Sequence, residues 1–314
     1  MMNTRHMLAS ALVLMVALLT GCKSGQGGGG ADILNSLADV AEGVGGSSGR
    51  WIAAGMRTGG AYVRANETFD ERQEYHIGRM AAAQILAKYP LYRDDDANRY
   101  LNLVGKTLAE FSDRPDVFAG YNFHIVESNE VNAFAMPGAF ILVTRGLLRC
   151  AENEDELAAI LAHEIGHVQR QHAIIAMTKG RSNDVWKTGL TEGLKAGTGS
   201  KAYGELAAMV TAGLTDMLKT ILEKGYSRED EAQADGDAIV IMRRTGYDPN
   251  AMVSMLTKMK PLVKDHDHGF GSTHPSPDER IATVKKAIGG QVAVTPDAGR
   301  TQRFTQALRA ARTP

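Results

Sequence analysis

The sequence predicts an α+β fold that is mainly helical and contains one small β-sheet. Apolar residues recur at helical spacing from Glu154 to Met177, the most periodic segment of the chain. Apolar and polar residues alternate from Tyr121 to Glu127, which is typical of a strand. Two further strand-like segments follow, and the turn residues Pro137 and Gly138 join them. These patterns indicate several helices around one short sheet that includes a hairpin.

Composition limits the class of protein. The chain has 314 residues, of which 44% are hydrophobic and 23% are charged, and its formal net charge is −1. This composition is typical of a globular protein that buries a sizeable core. A nucleic-acid binder normally carries a strong basic excess, so we expect no nucleic-acid partner. Two cysteines are too few to build a disulfide scaffold.

The first residues resemble a lipoprotein signal peptide. The nearly unbroken apolar run from Leu8 to Leu19 is shorter than the roughly 20 residues that span a bilayer, but it suits the core of a signal peptide. Small residues precede Cys22, as in the lipobox of bacterial lipoproteins, where the cysteine is acylated and becomes the new N-terminus. An ordinary secretory signal with an incidental cysteine is the alternative. We therefore expect a signal peptide over residues 1–21 and lipidation of Cys22, and by the same resemblance Lys23 favours the outer membrane.

A tether and one compact domain are expected after Cys22. Residues 22–60 are rich in glycine and serine, a composition typical of a flexible tether. We assign residues 61–290 to the domain and residues 291–314 to a C-terminal tail. Inside the domain, the Gly, Ala, Thr and Ser content of residues 179–225 predicts a mobile insertion that covers a cleft. A passive surface segment is the alternative for this insertion.

Residues that start and stop helices define the other elements. A helix from Glu67 to Tyr89 ends before Pro90, and the run of aspartates at residues 94–96 caps a second helix. The remaining predicted segments are two strands, Val131–Ala135 and Ala139–Val143, and three helices, Ser227–Arg244, Pro249–Lys264 and Pro277–Ile288.

An H-E-x-x-H motif, from His163 to His167, lies on the most periodic helix. The two histidines are four residues apart, so both imidazoles lie on one helix face and can bind one ion. Glu164 can take a proton from a water molecule at that ion. Glu164 also falls near the centre of the apolar stripe of the helix, where a carboxylate is costly unless it is paired or ligated. A surface helix with two polar histidines would leave Glu164 unexplained, so we predict a catalytic zinc site.

A third ligand must come from outside this helix. His172 lies about 140° around the helix from His167, and we interpret it as a solvated or packing histidine. Residues 227–235 offer several carboxylates, although a solvated acidic helix face is the alternative for this segment. Glu231 and Asp235 are one turn apart, so one of them can ligate while the other hydrogen-bonds a ligating imidazole.

Four separated motifs occur in order between Glu67 and Ile288. They are Asn132-Ala-Phe-Ala-Met-Pro-Gly138 with Gly146-Leu-Leu148, then H-E-x-x-H, then Glu231-Ala-Gln-Ala-Asp235, and finally Thr273-His274-Pro275. Together they resemble the HtpX/Oma and CAAX-protease superfamily of zinc metallopeptidases, of the gluzincin type. The chain is most similar to the short periplasmic lipoprotein members of LoiP/BepA type. This resemblance implies a zincin-like domain with its small sheet or hairpin beside the active-site helix.

The resemblance also implies roles for single residues. His163, His167 and Glu231 would hold one zinc ion per chain, Glu164 would be the general base, and Asp235 would hydrogen-bond a ligand. The family usually has a second glycine where this chain has Ala139, which leaves the geometry of the hairpin open.

Two further assignments come from resemblances, the first to relatives of BepA type and the second to thermolysin-like peptidases. His274 is expected to be a fourth ligand or switch that blocks the site until its loop moves. There are two alternatives: His274 stabilises the transition-state oxyanion, or it caps the helix that begins near Pro277. Asn132 and Ala133 resemble the substrate-binding edge strand of thermolysin-like peptidases, and plain core structure is the alternative.

These expectations together predict a zinc-dependent endopeptidase of the bacterial cell envelope. It would be lipid-anchored at the periplasmic face of the outer membrane and would degrade unfolded or misassembled envelope proteins. One alternative is a chaperone-like binding lipoprotein with little turnover, which would have no need of Glu164. A structural zinc site is the other, and such sites favour four protein ligands and cysteines.

Overall fold

The structure is a computed structural model that describes residues 69–178, 212–262, 274, 276–289 and 297–313. The expected signal peptide, Cys22 and the tether lie outside the described residues, as does the expected insertion up to residue 211. The described chain is mainly helical and contains one three-stranded sheet, which confirms the predicted α+β class. No helix of this described part has the length and hydropathy that a membrane span requires.

Side-chain caps determine where the first two helices of the described residues begin. Helix α1 (Glu71–Lys88) follows Asp70, whose carboxylate accepts a hydrogen bond of 2.8 Å from the backbone N–H three residues later. Helix α2 (Asp95–Glu110) follows Asp94, which caps it in the same way at 3.0 Å. Such acceptors satisfy N–H groups that the first turn of a helix leaves unpaired. Both predicted helices are therefore confirmed.

The sheet contains the predicted hairpin. Strands β1 (Asn122–Val126), β2 (Ala133–Met136) and β3 (Phe140–Thr144) lie in the order β1-β3-β2. Strand β1 runs parallel to β3, whereas β2 is antiparallel to β3, with Ala133 opposite Val143. Strand β2 therefore lies at an edge of the sheet.

The backbone of the hairpin turn explains why the resembled family usually has a second glycine at the position of Ala139. Gly138 and Ala139 both have left-handed backbone conformations, with φ of 66° and 61°. Glycine adopts this conformation freely, whereas a residue with a β-carbon loses roughly 1–2 kcal/mol. Ala139 is completely buried, so its packing offsets part of this cost.

Helices cover both faces of the sheet and extend beyond it. Ile125 and Ile141 belong to the apolar core that includes α2, whereas Val126 and Leu142 belong to the core that includes α1. Residues 212–219 are helical and continue into a π-helical segment, Thr220–Lys224. The numbered α-helices after the sheet, within the described residues, are α3 (Arg145–Cys150), α4 (Glu154–Gln169), α5 (His172–Thr178), α6 (Arg228–Thr245), α7 (Asn250–Met259), α8 (Pro277–Ile288), α9 (Ala298–Ala307) and α10 (Arg309–Arg312).

The continuous helix predicted from Glu154 to Met177 is wrong, because the chain breaks between α4 and α5. Gln171 lies in this break and has a left-handed φ of 56°. The local sequence contains no glycine or proline to mark the break. A tertiary contact holds it instead, since the Gln171 side chain donates a hydrogen bond to the buried carboxylate of Glu74 in α1.

Helices α4 and α6 pack closely at Gly166. A β-carbon at this position would lie 2.9 Å from both the Cα and the carbonyl oxygen of Ala234 in α6. Real β-carbons do not approach backbone atoms so closely, so only glycine allows this separation of the two helices. The contact matters for function because α4 carries His163 and His167, and α6 carries Glu231.

Gly166→Ala should therefore lower the free energy of unfolding by about 1–3 kcal/mol, as overpacking of a dense core does. Gly236→Ala on α6 is the matched control, because a β-carbon there meets nothing within 4 Å. That control should stabilise the protein by up to about 1 kcal/mol through helix propensity. Urea denaturation of both variants measures the difference, and equal stabilities would contradict the close packing.

The C-terminal helices pack into the domain. Residues 297–313 form α9 and α10, although the sequence assigned this region to a tail. Phe304 and Leu308 are fully buried in the same core as α4, and Arg303 forms an ion pair with the buried Glu154 at the start of α4.

Candidate metal centre

Four side chains that could bind a metal ion converge between α4, α6 and the segment before α8. His163 and His167 come from α4, Glu231 comes from α6, and His274 precedes α8. One ligand atom from each of the four lies within 4.8 Å of the others. All four are buried, and Glu231 is only 1% exposed. A carboxylate so far from water requires compensating charge, which a metal ion would supply.

The distances among these atoms fit a tetrahedral zinc ion. The Nε2 atoms of His163 and His167 are 3.1 Å apart. The two oxygens of the Glu231 carboxylate face them, with Oε2 3.5 Å from His163 Nε2 and Oε1 3.5 Å from His167 Nε2. Two nitrogen atoms bound tetrahedrally at zinc–nitrogen distances of 2.0–2.1 Å lie about 3.3 Å apart. The Oε2 atom of Glu231 is buried and has no hydrogen-bond partner among the described residues. Arg280 Nη1 lies 3.8 Å from this oxygen, beyond hydrogen-bond distance, so the donor set and the oxygen fit the ion.

Asp235 contacts His163, the first of the two candidate ligand histidines on α4. Its Oδ1 atom lies 2.8 Å from His163 Nδ1, which leaves His163 Nε2 directed at Glu231. Burial raises the pKa of Asp235, but the Arg280 guanidinium and His163 outweigh this effect and lower it to about 2. Burial lowers the pKa of His163 to about 3, so this imidazole is neutral, as metal binding requires.

Arg280 is a site residue that the sequence analysis missed. It donates hydrogen bonds to both carboxylate oxygens of Asp235, at 3.0 and 2.6 Å, and it is 3% exposed. A sequence signal existed, because Arg280 precedes Val284 and Ile288 at helical spacing and so interrupts an apolar stripe of α8. An arginine at such a position requires a buried partner.

His167 also has partners that the sequence did not predict. Its Nδ1 atom lies 2.8 Å from Nδ1 of His172, and the Tyr226 ring stacks on its imidazole with centroids 4.3 Å apart. His172 is 2% exposed, so it is a packing histidine and the solvated alternative is wrong. Burial lowers the pKa of His172 to about 4, so its imidazole is neutral near pH 7.

Glu164 lies beside these ligands on α4 and is 2% exposed. Burial raises its pKa above the ordinary value for a glutamate. A carboxylate of raised pKa accepts protons more readily, which is the property that a general base needs.

His274 contacts the carboxylate of the third candidate ligand. Its Nδ1 atom lies 2.7 Å from Glu231 Oε1. Ser276 is the residue that caps α8, since its side chain accepts a hydrogen bond from the backbone N–H of Glu279. The helix-capping alternative for His274 is therefore wrong.

Asn132 and Ala133 lie at the start of the edge strand β2. The Asn132 carboxamide oxygen accepts a hydrogen bond of 2.9 Å from the Ala133 N–H, and the Asn132 backbone pairs with Thr144. Both residues are buried. Further along the strand, the Tyr226 hydroxyl lies 3.5 Å from the carbonyl oxygen of Ala135, so β2 and the stacking partner of His167 are adjacent.

Comparison with known proteins agrees with this geometry. The chain matches Peptidase family M48 over residues 95–288. It is 28% identical to the "Beta-barrel assembly-enhancing protease" of Escherichia coli (strain K12), over 70% of this chain and 45% of the relative. It is 28% identical to the "Mitochondrial metalloendopeptidase OMA1" of Schizosaccharomyces pombe, over 60% of this chain and 52% of the relative. It is also 22% identical to the "Metalloprotease YcaL" of Escherichia coli (strain K12), over 92% of this chain and 98% of the relative.

The chain spans about half the length of the first two relatives. The family match nevertheless covers most of the described domain, from the start of α2 to the end of α8, and so includes the whole ligand cluster. This confirms the resemblance drawn from the four motifs. The chain belongs to peptidase family M48.

Proposed function

We propose that this protein is a zinc endopeptidase in which His163, His167 and Glu231 hold one zinc ion per chain. The observation that carries the proposal is the buried cluster itself, since the two imidazole Nε2 atoms lie 3.1 Å apart and each has one oxygen of the Glu231 carboxylate at 3.5 Å. Glu164 on the same helix is the general base. Asp235 and Arg280 orient His163 through its Nδ1 atom, on the side of the ring away from the metal.

The chemistry follows from these positions. A bound zinc ion supplies a Lewis acid that polarises the scissile carbonyl and lowers the pKa of water at the site. Glu164 accepts the proton of the attacking water and then donates it to the leaving amine. Its burial keeps bulk water away from this carboxylate, so the proton passes to the substrate.

The substrate is proposed to bind as an extended strand along β2. Thr144 donates a backbone hydrogen bond to Asn132, and pairing residues alternate along an antiparallel ladder. Ala133 and Ala135 therefore direct their backbone N–H and C=O groups away from β3. An extended peptide would pair with these groups by displacing the Asn132 side chain from the Ala133 N–H and the Tyr226 hydroxyl from the Ala135 carbonyl. Such pairing gives affinity with little side-chain selection.

Such weak side-chain selection suits unfolded or misassembled proteins. The name of the Escherichia coli relative, "Beta-barrel assembly-enhancing protease", supports substrates in the cell envelope. We place the protein at the periplasmic face of the outer membrane, anchored by lipid on Cys22. Incorporation of labelled fatty acid tests this anchor: Cys22→Ser should abolish the label, whereas Cys150→Ser should retain it because that thiol is buried.

Cleavage of unfolded casein by the purified protein tests the proposed activity. Fragments should appear without a chelator, disappear after chelation and reappear when one equivalent of zinc is added. Binding of casein without cleavage, at full zinc occupancy, would support the chaperone-like alternative instead.

His274 is proposed to be a resting fourth ligand that limits access of water to the metal. A fourth neutral imidazole would complete the tetrahedron and close the site. His274→Ala should therefore retain zinc and increase the rate of casein cleavage. Ser276→Ala is the matched control in the same segment: it should cost about 1 kcal/mol of stability through the lost helix cap but leave the rate unchanged.

Other outcomes separate the alternatives for His274. A slower reaction at full zinc occupancy would assign it to the transition-state oxyanion. Unchanged cleavage and unchanged zinc affinity would exclude any role at the metal.

A further inference from the structure

The break between α4 and α5 brings His172 back to the metal centre. A continuous helix would direct this side chain about 140° away from His167. Instead α4 ends at Gln169, the chain turns through Gln171, and α5 restarts at His172. The two imidazoles then meet in the protein interior with their Nδ1 atoms 2.8 Å apart.

The turn that achieves this is held from outside the helix. Gln171 donates a side-chain hydrogen bond to Glu74 of α1, and Arg114 pairs with the same carboxylate at 3.1 Å. Glu74 is buried. A left-handed glutamine is uncommon and costs conformational energy, so these contacts maintain a conformation that the local sequence does not favour.

Metal binding determines which nitrogen atom of each imidazole carries the proton. If His167 Nε2 holds the ion, that atom must carry a lone pair, so the proton of His167 lies on Nδ1. The His167 Nδ1–H then donates to His172 Nδ1, which must act as the acceptor. The proton of the neutral His172 therefore lies on Nε2, which faces Gln233 Oε1 at 3.4 Å and Asp230 at 3.7 Å.

Each candidate ligand histidine then has its own hydrogen-bond partner at Nδ1. The partner of His163 is a carboxylate, Asp235. The partner of His167 is a second imidazole. In both cases the contact occupies Nδ1 and leaves Nε2 directed at the other candidate ligands. Partners of this kind fix the tautomer and the ring orientation of a ligating histidine.

We propose that His172 is a positioning residue: its Nδ1 atom accepts a hydrogen bond from the Nδ1–H of His167 and so holds His167 Nε2 toward the metal. The proposal rests on the proposed zinc site. It assigns His172 no contact with the substrate.

Three substitutions distinguish the two nitrogen atoms of His172. In His172→Asn, the carboxamide oxygen can occupy the position of Nδ1, whereas in His172→Gln it reaches only the position of Nε2. His172→Phe keeps the ring and removes both nitrogens. The exposed His76, replaced by Asn, is the control for loss of a histidine elsewhere on the protein.

Zinc affinity is the primary measurement. The purified metal-free protein is titrated with zinc in competition with a chromophoric chelator, and thermal unfolding of the metal-free form is recorded beside it. We expect His172→Phe and His172→Gln to raise the zinc Kd by about 10–100-fold, the usual loss for a partner of a metal ligand. His172→Asn should bind zinc nearly as tightly as the parent, and so should His76→Asn.

Each other result overturns the proposal. An unchanged Kd in His172→Phe, a Kd in His172→Asn as weak as in His172→Phe, or rescue by Gln would each exclude acceptance at Nδ1 as the role. If the Phe variant does not fold, the Asn and Gln pair decides alone. Failure of the parent protein to bind zinc would instead refute the proposed zinc site.

Discussion

Glu164→Gln is expected to slow peptide hydrolysis by about 10²–10⁴-fold, the usual contribution of a positioned general base. Glutamine has nearly the same shape but cannot accept the proton of the attacking water. Zinc should remain bound at one equivalent, because Glu164 is proposed to have no ligand role. Steady-state cleavage of an internally quenched peptide and metal analysis of the same sample measure both quantities.

Loss of zinc together with activity would contradict this assignment. In that case Glu164 would be a ligand or a structural residue. Glu156→Gln is a useful comparison, because Glu156 is also buried on α4 but pairs with Lys258 at 2.7 Å, far along the helix from the histidines. This variant should lose stability, and its kcat should stay near that of the parent.

Glu231→Ala should nearly abolish zinc binding. It removes one of three proposed protein ligands, the carboxylate whose oxygens lie 3.5 Å from the Nε2 atoms of His163 and His167. Asp235→Ala should weaken the zinc affinity by about 10–100-fold, because it removes only the partner of His163. Competition titration with a chelator gives both affinities.

Glu229→Ala is the matched control for the ligand variants. Glu229 lies on the same first turn of α6 but is exposed. Its removal should leave the zinc affinity unchanged. A large loss of zinc in Glu229→Ala, with full binding in Glu231→Ala, would show that the assignment of ligands along α6 is shifted.

Local sequence signals predicted most of the fold. Asp70 and Asp94 cap helices, and Pro137 with Gly138 forms the turn of the hairpin, because these effects act within a few residues. The break at Gln171 could not be predicted in this way. It depends on Glu74, a residue distant in sequence, whose contact is formed only in the folded chain.

The same distinction between local and tertiary effects applies to the candidate site. Helical spacing alone indicated that His163 and His167 share one face, and their Nε2 atoms lie 3.1 Å apart. Charge alone did not distinguish Glu231 from its acidic neighbours as the third ligand. That assignment depended on the family resemblance. Arg280 could have been found from the apolar stripe of α8 that it interrupts, whereas His172 reaches His167 only because the helix breaks before it.

An anomalous diffraction map recorded at the zinc absorption edge is the most direct test of the central claim. The account predicts a single strong peak per chain, about 2.0–2.2 Å from His163 Nε2, His167 Nε2 and a carboxylate oxygen of Glu231. A zinc-loaded crystal without a peak at this position, or with a peak that Glu231 does not contact, would contradict it.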